Sequence, residues 1–433
     1  MVKYQKKKVL HIANKNALHG GIGTVLDYLH NGVNESEDFQ SDTLLTSYDH
    51  KNKRPRLSTL KKDDSNKNVK HADLDSLVED YDVVHVHGIP HYGILEKLYE
   101  AKSKNPGLKV VNTAHSSVKS EFEAQLENAK KSPHKKEEAR SLQYLKDRNV
   151  LNDPSKFADT YWGSAIWRQE QIMTISDSVQ HMNEAYKAQI LDEYSAEESA
   201  QKHTVVPNGV HKIKETVAKP NKKRLLFVGR FGKEKGVDEF VDALPHIFEE
   251  NPDAEVRFVG GDKSGKVVEI YKKKVAAKLR KHFKNKTGHN VNDYISRIEF
   301  TGWVTDKNKL AEHYQWSDYL MVPSKAESFC LAAAEALMHE RIPIITKTKA
   351  LDDLYISKGV AFGIDEDKRD GKGIAAVVND VFKKDPKAIA KMAKEGRKFA
   401  IENYSVESMI DLQLDSYREL LGMTPKERHK KAK

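Results

Sequence analysis

The stretch Arg224-Leu-Leu-Phe-Val-Gly-Arg230-Phe-Gly-Lys-Glu-Lys235-Gly-Val-Asp-Glu-Phe-Val-Asp-Ala-Leu-Pro-His-Ile-Phe248 decides how this chain is read. Its first five residues form a short apolar run with the length of a buried strand. Gly229 ends the run, and Val237 to Phe248 is helical. A strand, a turn containing glycine and a helix make most of a βαβ unit. The same alternation recurs downstream. Glu255–Val259, Ile298–Phe300, Tyr319–Val322, Ile342–Thr346 and Val360–Phe362 read as strands, and the chain is helical from Asp385 through Leu421. It also recurs upstream. Val9–Ala13, Thr43–Leu45, Asp82–His87, Lys109–Thr113, Gln171–Ile175 and Thr204–Val206 read as strands, and a helix begins at Gly21 to Leu29. Strands that alternate with helices in this way predict parallel sheets.

The segment 211–223 has little apolar periodicity and reads as a linker between two α/β domains, each doubly wound. The expected division is 1–212, 213–404, and a segment 405–433 whose helix crosses back to the first domain before a basic tail. Open parallel sheets bind ligands beyond the carboxyl ends of their strands, so two facing sheets would place a site in the cleft between them. Residues 116–170 depart from the pattern. They are highly charged and mostly helical, end in Tyr161-Trp162 and Trp167, and are too long for an ordinary connection.

Composition narrows the class. With 433 residues the chain exceeds what one core usually supports, and 38% hydrophobic against 32% charged residues describes a globular chain with a very polar surface. No run of about 18 apolar residues predicts a membrane span. The basic start is followed only by the short run Val9–Ala13, which predicts no secretion signal. Cys330 stands alone, which excludes an intrachain disulfide and a paired-cysteine zinc site and fits a reducing cytoplasm. Part of the net charge of +9 is clustered at Lys130-Lys131, Lys135-Lys136, Lys272–Lys274 with Lys278, Arg280, Lys281, Lys284 and Lys286, and the tail Lys426 to Lys433. Such clusters are solvated helix faces or contacts with anionic lipid or another polyanion. Nucleic acid is not expected, because no recognition motif with interleaved aromatics accompanies them.

Several motifs carry chemistry. Arg230 and Lys235 flank one loop and can meet one anionic group there, a planar fork beside a point charge at a helix start; phosphate is the natural ligand. In Pro323-Ser-Lys-Ala-Glu327-Ser-Phe-Cys-Leu-Ala-Ala-Ala-Glu335, Ser328 reads as a helix cap. Glu327 then sits just before the helix and Glu335 two turns in. A carboxylate beside anion-binding amides suits a sugar phosphate. Gly20-Gly21-Ile-Gly23 allows close approach of backbone to a ligand but lacks dinucleotide-fingerprint spacing, so it does not indicate NAD. His115 ends a strand and suits the wall of a hydroxyl-rich site, whereas His85 reads as a core histidine and His85 with His87 lacks further metal ligands. Gly260-Gly261-Asp-Lys-Ser-Gly265-Lys266 opens like a P-loop, but Val267 stands where Ser or Thr would hold Mg²⁺. Its glycine turn is expected to line the site. The pairs Asp73/Asp75 and Asp365/Asp367 read as surface.

Taken together, the chain resembles the GT-B fold retaining glycosyltransferases of family 4, the glycosyl transferases group 1. The supporting strings are Thr174-Ile-Ser-Asp177, Val206-Pro-Asn208-Gly-Val210, Phe300-Thr-Gly302-Trp303-Val304 and Trp316-Ser-Asp-Tyr-Leu-Met-Val-Pro-Ser324. The resemblance is specific in the C-terminal half, diffuse in the N-terminal half, and weakest at 35–80 and 116–170. It implies two Rossmann-like domains, an N-terminal one for the acceptor and a C-terminal one for the nucleotide sugar. By position, Arg230 and Lys235 would bind the donor diphosphate, Glu327 the sugar hydroxyls, and Glu335 the ribose. Ser328, Phe329, Cys330 and Leu331 would present amides to phosphate or sugar, and Gly302-Trp303 would frame the base. His115 would line the reacting sugar, Gly21 and Gly23 would meet the donor phosphate or acceptor, and Asn208 and Gly261 would line the substrate. The family usually has Gly at position 330 and often Pro at 332, where this chain has Cys330 and Ala332, which bears on donor choice.

The resemblance implies transfer from a UDP-hexose or UDP-N-acetylhexosamine with retention, to a hydroxyl of a glycan, lipid-linked or protein acceptor in envelope polysaccharide synthesis. It implies no cofactor and no catalytic metal, since two cations take a metal's place. The protein would be cytoplasmic, with peripheral contact to an anionic membrane. The competing readings are a non-catalytic scaffold binding polyanion or membrane through its basic patches, a GT-B epimerase or phosphorylase, and, last, a P-loop NTPase.

Overall fold

The computed structural model describes residues 5–15, 21–49, 54–59, 67–69, 80–130, 135–196, 199, 202–213, 222–262 and 264–424. Gly20, Lys131, Asp73/Asp75, most of the expected linker (214–221) and the tail from Lys426 lie outside the described residues. The chain divides into two units, Met1–Val206 with Met409–Lys433, and Pro207–Ser408.

The first unit is built on β1 (Lys7–Asn14), α1 (Gly21–Glu35), β2 (Phe39–Asp49), β3 (Arg54–Thr59), β4 (Lys67–Val69), β5 (Val83–His87), α2 (Tyr92–Lys104) and β6 (Lys109–Thr113). It continues with α3 (Val118–Lys130), α4 (Lys136–Asp147), α5 (Tyr161–Ile175), β7 (Ser178–His181), α6 (Glu184–Glu193) and β8 (His203–Val205). The sheet order is β4-β3-β2-β1-β5-β6-β7-β8. All pairs from β2 to β8 are parallel. β3 and β4 add antiparallel strands at one side. Their charged sequence, with Pro55 in β3, carries no alternating pattern, so they are not read as strands from sequence.

Gln171–Ile175 is not a strand but the last turn of α5. Its buried residues Ala165, Ile166, Gln169, Ile172 and Met173 follow the helical period, and the Thr160 side chain caps the helix by accepting from Gly163 N–H. The strand comes three residues later, as the polar but fully buried Ser178–His181. The 116–170 region forms α3, α4, a 3₁₀ turn and most of α5, with its own apolar cluster of Val118, Phe122, Leu126, Leu142, Val150 and Ile166. Burial of such a cluster lets this long connection hold a fixed shape.

The second unit contains β9 (Arg224–Gly229), α7 (Val237–Glu250), β10 (Glu255–Gly260), α8 (Lys266–Phe283), α9 (Val291–Ser296), β11 (Ile298–Gly302), α10 (Lys307–Trp316) and β12 (Tyr319–Val322). It is completed by α11 (Leu331–Met338), β13 (Ile342–Thr346), β14 (Phe362–Ile364), α12 (Gly371–Phe382) and α13 (Pro386–Asn403). α14 (Val406–Leu420) follows and runs on into the first unit. The order β11-β10-β9-β12-β13-β14 is all parallel and is the doubly wound 3-2-1-4-5-6 arrangement. Its core joins Leu225, Phe227, Phe240, Phe258 and Ile344 in one cluster.

The last strand lies two residues beyond the expected Val360–Phe362. The C-terminal helical stretch consists of two helices, α13 and α14, which meet at the expected 404/405 boundary. There Val210 N–H donates to the Tyr404 carbonyl and Val406 N–H to the Val210 carbonyl, pairing this stretch with the chain after Pro207. Tyr404 itself is buried edge-on against Phe329 and Tyr355. In the first unit the Tyr417 ring of α14 packs with Val9, Phe39 and Val83.

Candidate functional site

In a doubly wound sheet the ligand crevice opens where the strand order reverses, because helices leave on opposite faces there. In the second unit that point is β9 beside β12. The loops that follow these two strands are 230–236 and 323–330, which hold Arg230, Lys235 and Glu327.

The loops are locked together by backbone. Lys325 N–H donates to the Glu234 carbonyl at 2.8 Å. Gly236 takes φ +66, and a Cβ there would stand 1.9 Å from the Pro323 carbonyl oxygen. Only glycine allows this approach. It brings Lys235 Nζ to 2.7 Å from Glu327 Oε1, across 92 residues of sequence. Ser324 Oγ donates to the same oxygen at 3.0 Å. Glu327 is 12% exposed and Lys235 28%. Burial works to lower the Lys235 pKa, but Glu327 and the further negative potential around it outweigh burial and raise it, so the ammonium stays charged. Arg230 is exposed and its guanidinium reaches Glu234 at 3.3 Å, on the solvent side of the same loop.

α11 starts at Leu331, later than expected. Ser328 is not its cap: Cys330 takes that position with φ +64 and no capping side chain. Glu335 therefore lies about one turn into the helix rather than two. The first-turn N–H groups of a helix have no intrahelical acceptor, so this end of α11 offers donors beside Glu327. Cys330 is held in the left-handed region by its surroundings. The buried Tyr355 hydroxyl donates to the carbonyls of Phe329 at 2.9 Å and Cys330 at 3.2 Å. Burial, then Glu327, pushes the Cys330 thiol up, which keeps it protonated.

Glu335 is oriented by a residue that the sequence patterns do not reveal. Tyr314, fully buried on α10, donates its hydroxyl to Glu335 Oε2 at 2.7 Å. Burial raises the Glu335 pKa, and the tyrosine opposes that rise. Arg341 in turn pins the end of α10. It is 1% exposed and donates to the carbonyls of Tyr314 at 3.0 Å and Gln315 at 2.9 Å.

Gly261 (φ +108) and half-buried Gly302 and Trp303 lie at the carboxyl ends of β10 and β11. Asp262 Oδ1 accepts from Val267 N–H at 3.1 Å, so a carboxylate occupies the place of an anion. Asn208 is half-buried beside Gly209, whose backbone approaches Val406. Asp365 and Asp367 are exposed.

In the first unit, Gly21 and Gly23 open α1 after β1, and His115 follows β6. His115 stacks on His87, with centroids 5.7 Å apart, and its Nε2 has no hydrogen-bond partner among the described residues. Burial lowers its pKa to about 4, so the ring is neutral. Both nitrogens of His85 are engaged, Nδ1 with Tyr417 Oη at 2.7 Å and Nε2 with Thr113 Oγ1 at 2.6 Å. His11, which sequence spacing does not connect to them, faces His85 in the parallel register of β1 and β5 and bonds His87 at 3.1 Å. His11, His85 and His87 have donor atoms close enough for a metal, as do His246, Glu249 and His282. In the first group His85 is already satisfied; in the second Glu249 is bonded by His282 and Lys286.

Residues 211–399 match the family model of the glycosyl transferases group 1. The group 1 match spans under half of the chain and includes Arg230, Lys235, Glu327 and Glu335. The 41.2 kDa protein in the cps region of Klebsiella pneumoniae is 28% identical over 156 residues, 35% of each chain, so the present chain spans about a third of that relative's length. Among solved structures, sucrose-phosphate synthase of Thermosynechococcus elongatus superimposes with a TM-score of 0.65 at 14% identity, over 96% of this chain and 100% of its own. Anabaena HepE, solved with UDP and glucose, gives 0.59 at 14% identity, over 95% and 99%. The fold is GT-B in class, with two Rossmann-like domains.

Proposed function

We propose that this chain is a retaining glycosyltransferase. It moves a hexose or N-acetylhexosamine from a UDP-sugar to a hydroxyl of a glycan, lipid-linked or protein acceptor in envelope polysaccharide synthesis, on the cytoplasmic side, in peripheral contact with an anionic membrane. The observation that carries this reading is the Lys235–Glu327 pair beside the start of α11, at the reversal point of the second sheet. A charged carboxylate accepts from sugar hydroxyls while the ammonium and first-turn amides donate to phosphate. The group 1 match over this region and the UDP and glucose held by the fold-related HepE support the donor.

In this mechanism the acceptor hydroxyl attacks the anomeric carbon from the face the diphosphate leaves. The carbon–oxygen bond to phosphate breaks as the new one forms, and the departing phosphate oxygen takes the hydroxyl proton. Arg230 and Lys235 stabilise the charge gathering on the diphosphate, and Glu327 fixes the sugar. Glu335 binds ribose, Gly302-Trp303 frames the base, and Gly261, Ser328, Phe329, Cys330 and Leu331 line the phosphates and sugar, with Asn208 nearby. From the first unit, neutral His115 offers a hydrogen bond to the reacting sugar, and Gly21 and Gly23 admit the donor phosphate or acceptor. Two cations serve where other transferases use a metal.

The test is a thermal-shift panel with UDP, GDP, ADP and ATP on the wild type, Arg230→Ala and Lys235→Ala. A ligand at 100 times its Kd stabilises by about 2.7 kcal/mol, a shift of several degrees. UDP should shift the wild type and neither variant, and sugar transfer should fall roughly 100-fold or more in both. Absence of any nucleoside diphosphate shift, or full turnover in both variants, refutes the assignment.

A further inference from the structure

Helix α8 carries the densest cationic run in the second unit, and its charges divide into two sets. The first set faces α7. Lys274 pairs with Asp238, Lys278 with Asp242, and Lys286, just past the helix, with Glu249, which His282 also meets at 2.8 Å. These cations are neutralised within the domain. The second set is Lys266, Lys273, Arg280, Lys281 and Lys284. All five are exposed, and none pairs with a carboxylate among the described residues.

At 100° per residue these five, with the exposed Ala277 and Ile270 between them, fall within about 100° of the helix circumference. Ile270 is 61% exposed, one of the few large apolar side chains left in water. The stripe runs about 27 Å from Lys266 to Lys284. The only acid on α8, Glu269, lies outside it and pairs with Lys272 at 2.8 Å. Helix stability does not explain the arrangement. Cations in the last turn complement the helix dipole, but Lys266 sits in the first turn, where a positive charge is unfavourable.

We infer that this outer face of α8 docks on an anionic lipid bilayer. The inference deepens the membrane contact proposed above and rests on that reading only for its setting, not for nucleotide binding. Three observations favour lipid over a soluble polyanion. The face is a convex helix surface, which meets a plane better than it encloses a chain. Its lysine stems flank an apolar residue able to enter the headgroup boundary. It presents no aromatic ring on which a nucleic-acid base would stack.

The test uses the full-length chain and co-sedimentation with vesicles of phosphatidylcholine alone or with about 30% phosphatidylglycerol, at ~0.1 M salt. The wild type should bind only the anionic vesicles, and binding should fall in high salt. Lys273→Glu/Arg280→Glu/Lys281→Glu should weaken partitioning by ~100-fold or more, from the usual contribution of each surface charge. Lys387→Glu/Lys391→Glu/Lys394→Glu removes the same charge from exposed positions on α13 and should retain binding. Equal loss in both triple variants would overturn the inference in favour of net charge. So would no wild-type binding to anionic vesicles, or binding to polyphosphate but not to vesicles. The UDP shift is read on every variant: its absence beside intact vesicle binding counts against the transferase reading alone, and its retention shows that the variants are folded.

Discussion

Tyr314→Phe isolates one hydrogen bond at the proposed ribose site. The substitution removes only a hydroxyl from a fully buried ring, so it leaves almost no cavity. That hydroxyl donates to Glu335 Oε2 at 2.7 Å. A hydrogen bond to a charged group is worth about 1.5–3 kcal/mol. Burial already raises the Glu335 pKa, and Tyr314 is the first influence opposing it, so losing the tyrosine hydroxyl lets the carboxyl rise further. The sign follows. An acid with a raised folded pKa is tolerated when protonated, and its cost appears as pH rises from its unfolded value through its folded one. Tyr314→Phe should therefore destabilise by about 1.5–3 kcal/mol at pH 8 and by clearly less at pH 5, read as the difference from wild type in urea unfolding. In the donor assay KM should rise roughly 10-fold at pH 7 with kcat little changed, because a less ionised, less oriented carboxylate binds ribose poorly. Equal destabilisation at both pH values would refute the charge argument. An unchanged KM would refute the role of Glu335.

Three further outcomes are expected. Cys330 holds φ +64, so Cys330→Gly should be more stable than Cys330→Ala by about 1 kcal/mol, seen as a gap of a few degrees in Tm; equal values would show the backbone there to be unstrained. Gly236→Ala must move the loop away from Pro323, costing about 2–4 kcal/mol and abolishing the UDP-induced shift; a normal shift would refute the loop locking. In the first unit, burial lowers His11 and His181 to about 3 and His115 and His203 to about 4, from ~6.5 when unfolded. Stability is full above the unfolded value and is lost as pH falls towards 4, by up to ~1.4 kcal/mol per pH unit for each histidine. The unit should unfold between pH 6 and 4 with uptake of several protons, followed by circular dichroism and proton titration; a midpoint below pH 3 would contradict neutral burial.

Strands β5, β6, β9, β10, β12 and β13 were legible in the sequence because each is a short apolar run ending at a turn, and a run of that kind has few other stable placements. So were the positions of Arg230, Lys235 and Glu327 in the loops after β9 and β12, because residues just past such runs have a defined place in a doubly wound sheet; the depth of Glu335 in α11 was not, because the helix starts later than its sequence suggests. β7 was not legible: Ser-Val-Gln-His is polar, and its burial depends on neighbours on both sides. The neighbouring Gln171–Ile175 has strand composition, and only the helical burial period of all of α5 decides its state.

Tertiary structure decided the rest. Gly236 against Pro323 sets where Lys235 meets Glu327, across a separation that no local pattern spans. Strand register brings His11 to His85 and His87, and the packing of α10 brings Tyr314 to Glu335. Local composition and hydrophobic period set the order of elements and the kinds of groups at the ends of strands, because both are properties of a single short segment. Which carboxylate has which partner, and which cations on α8 pair with none among the described residues, were decided only when the helices packed, because those pairings depend on distances between segments far apart in the chain.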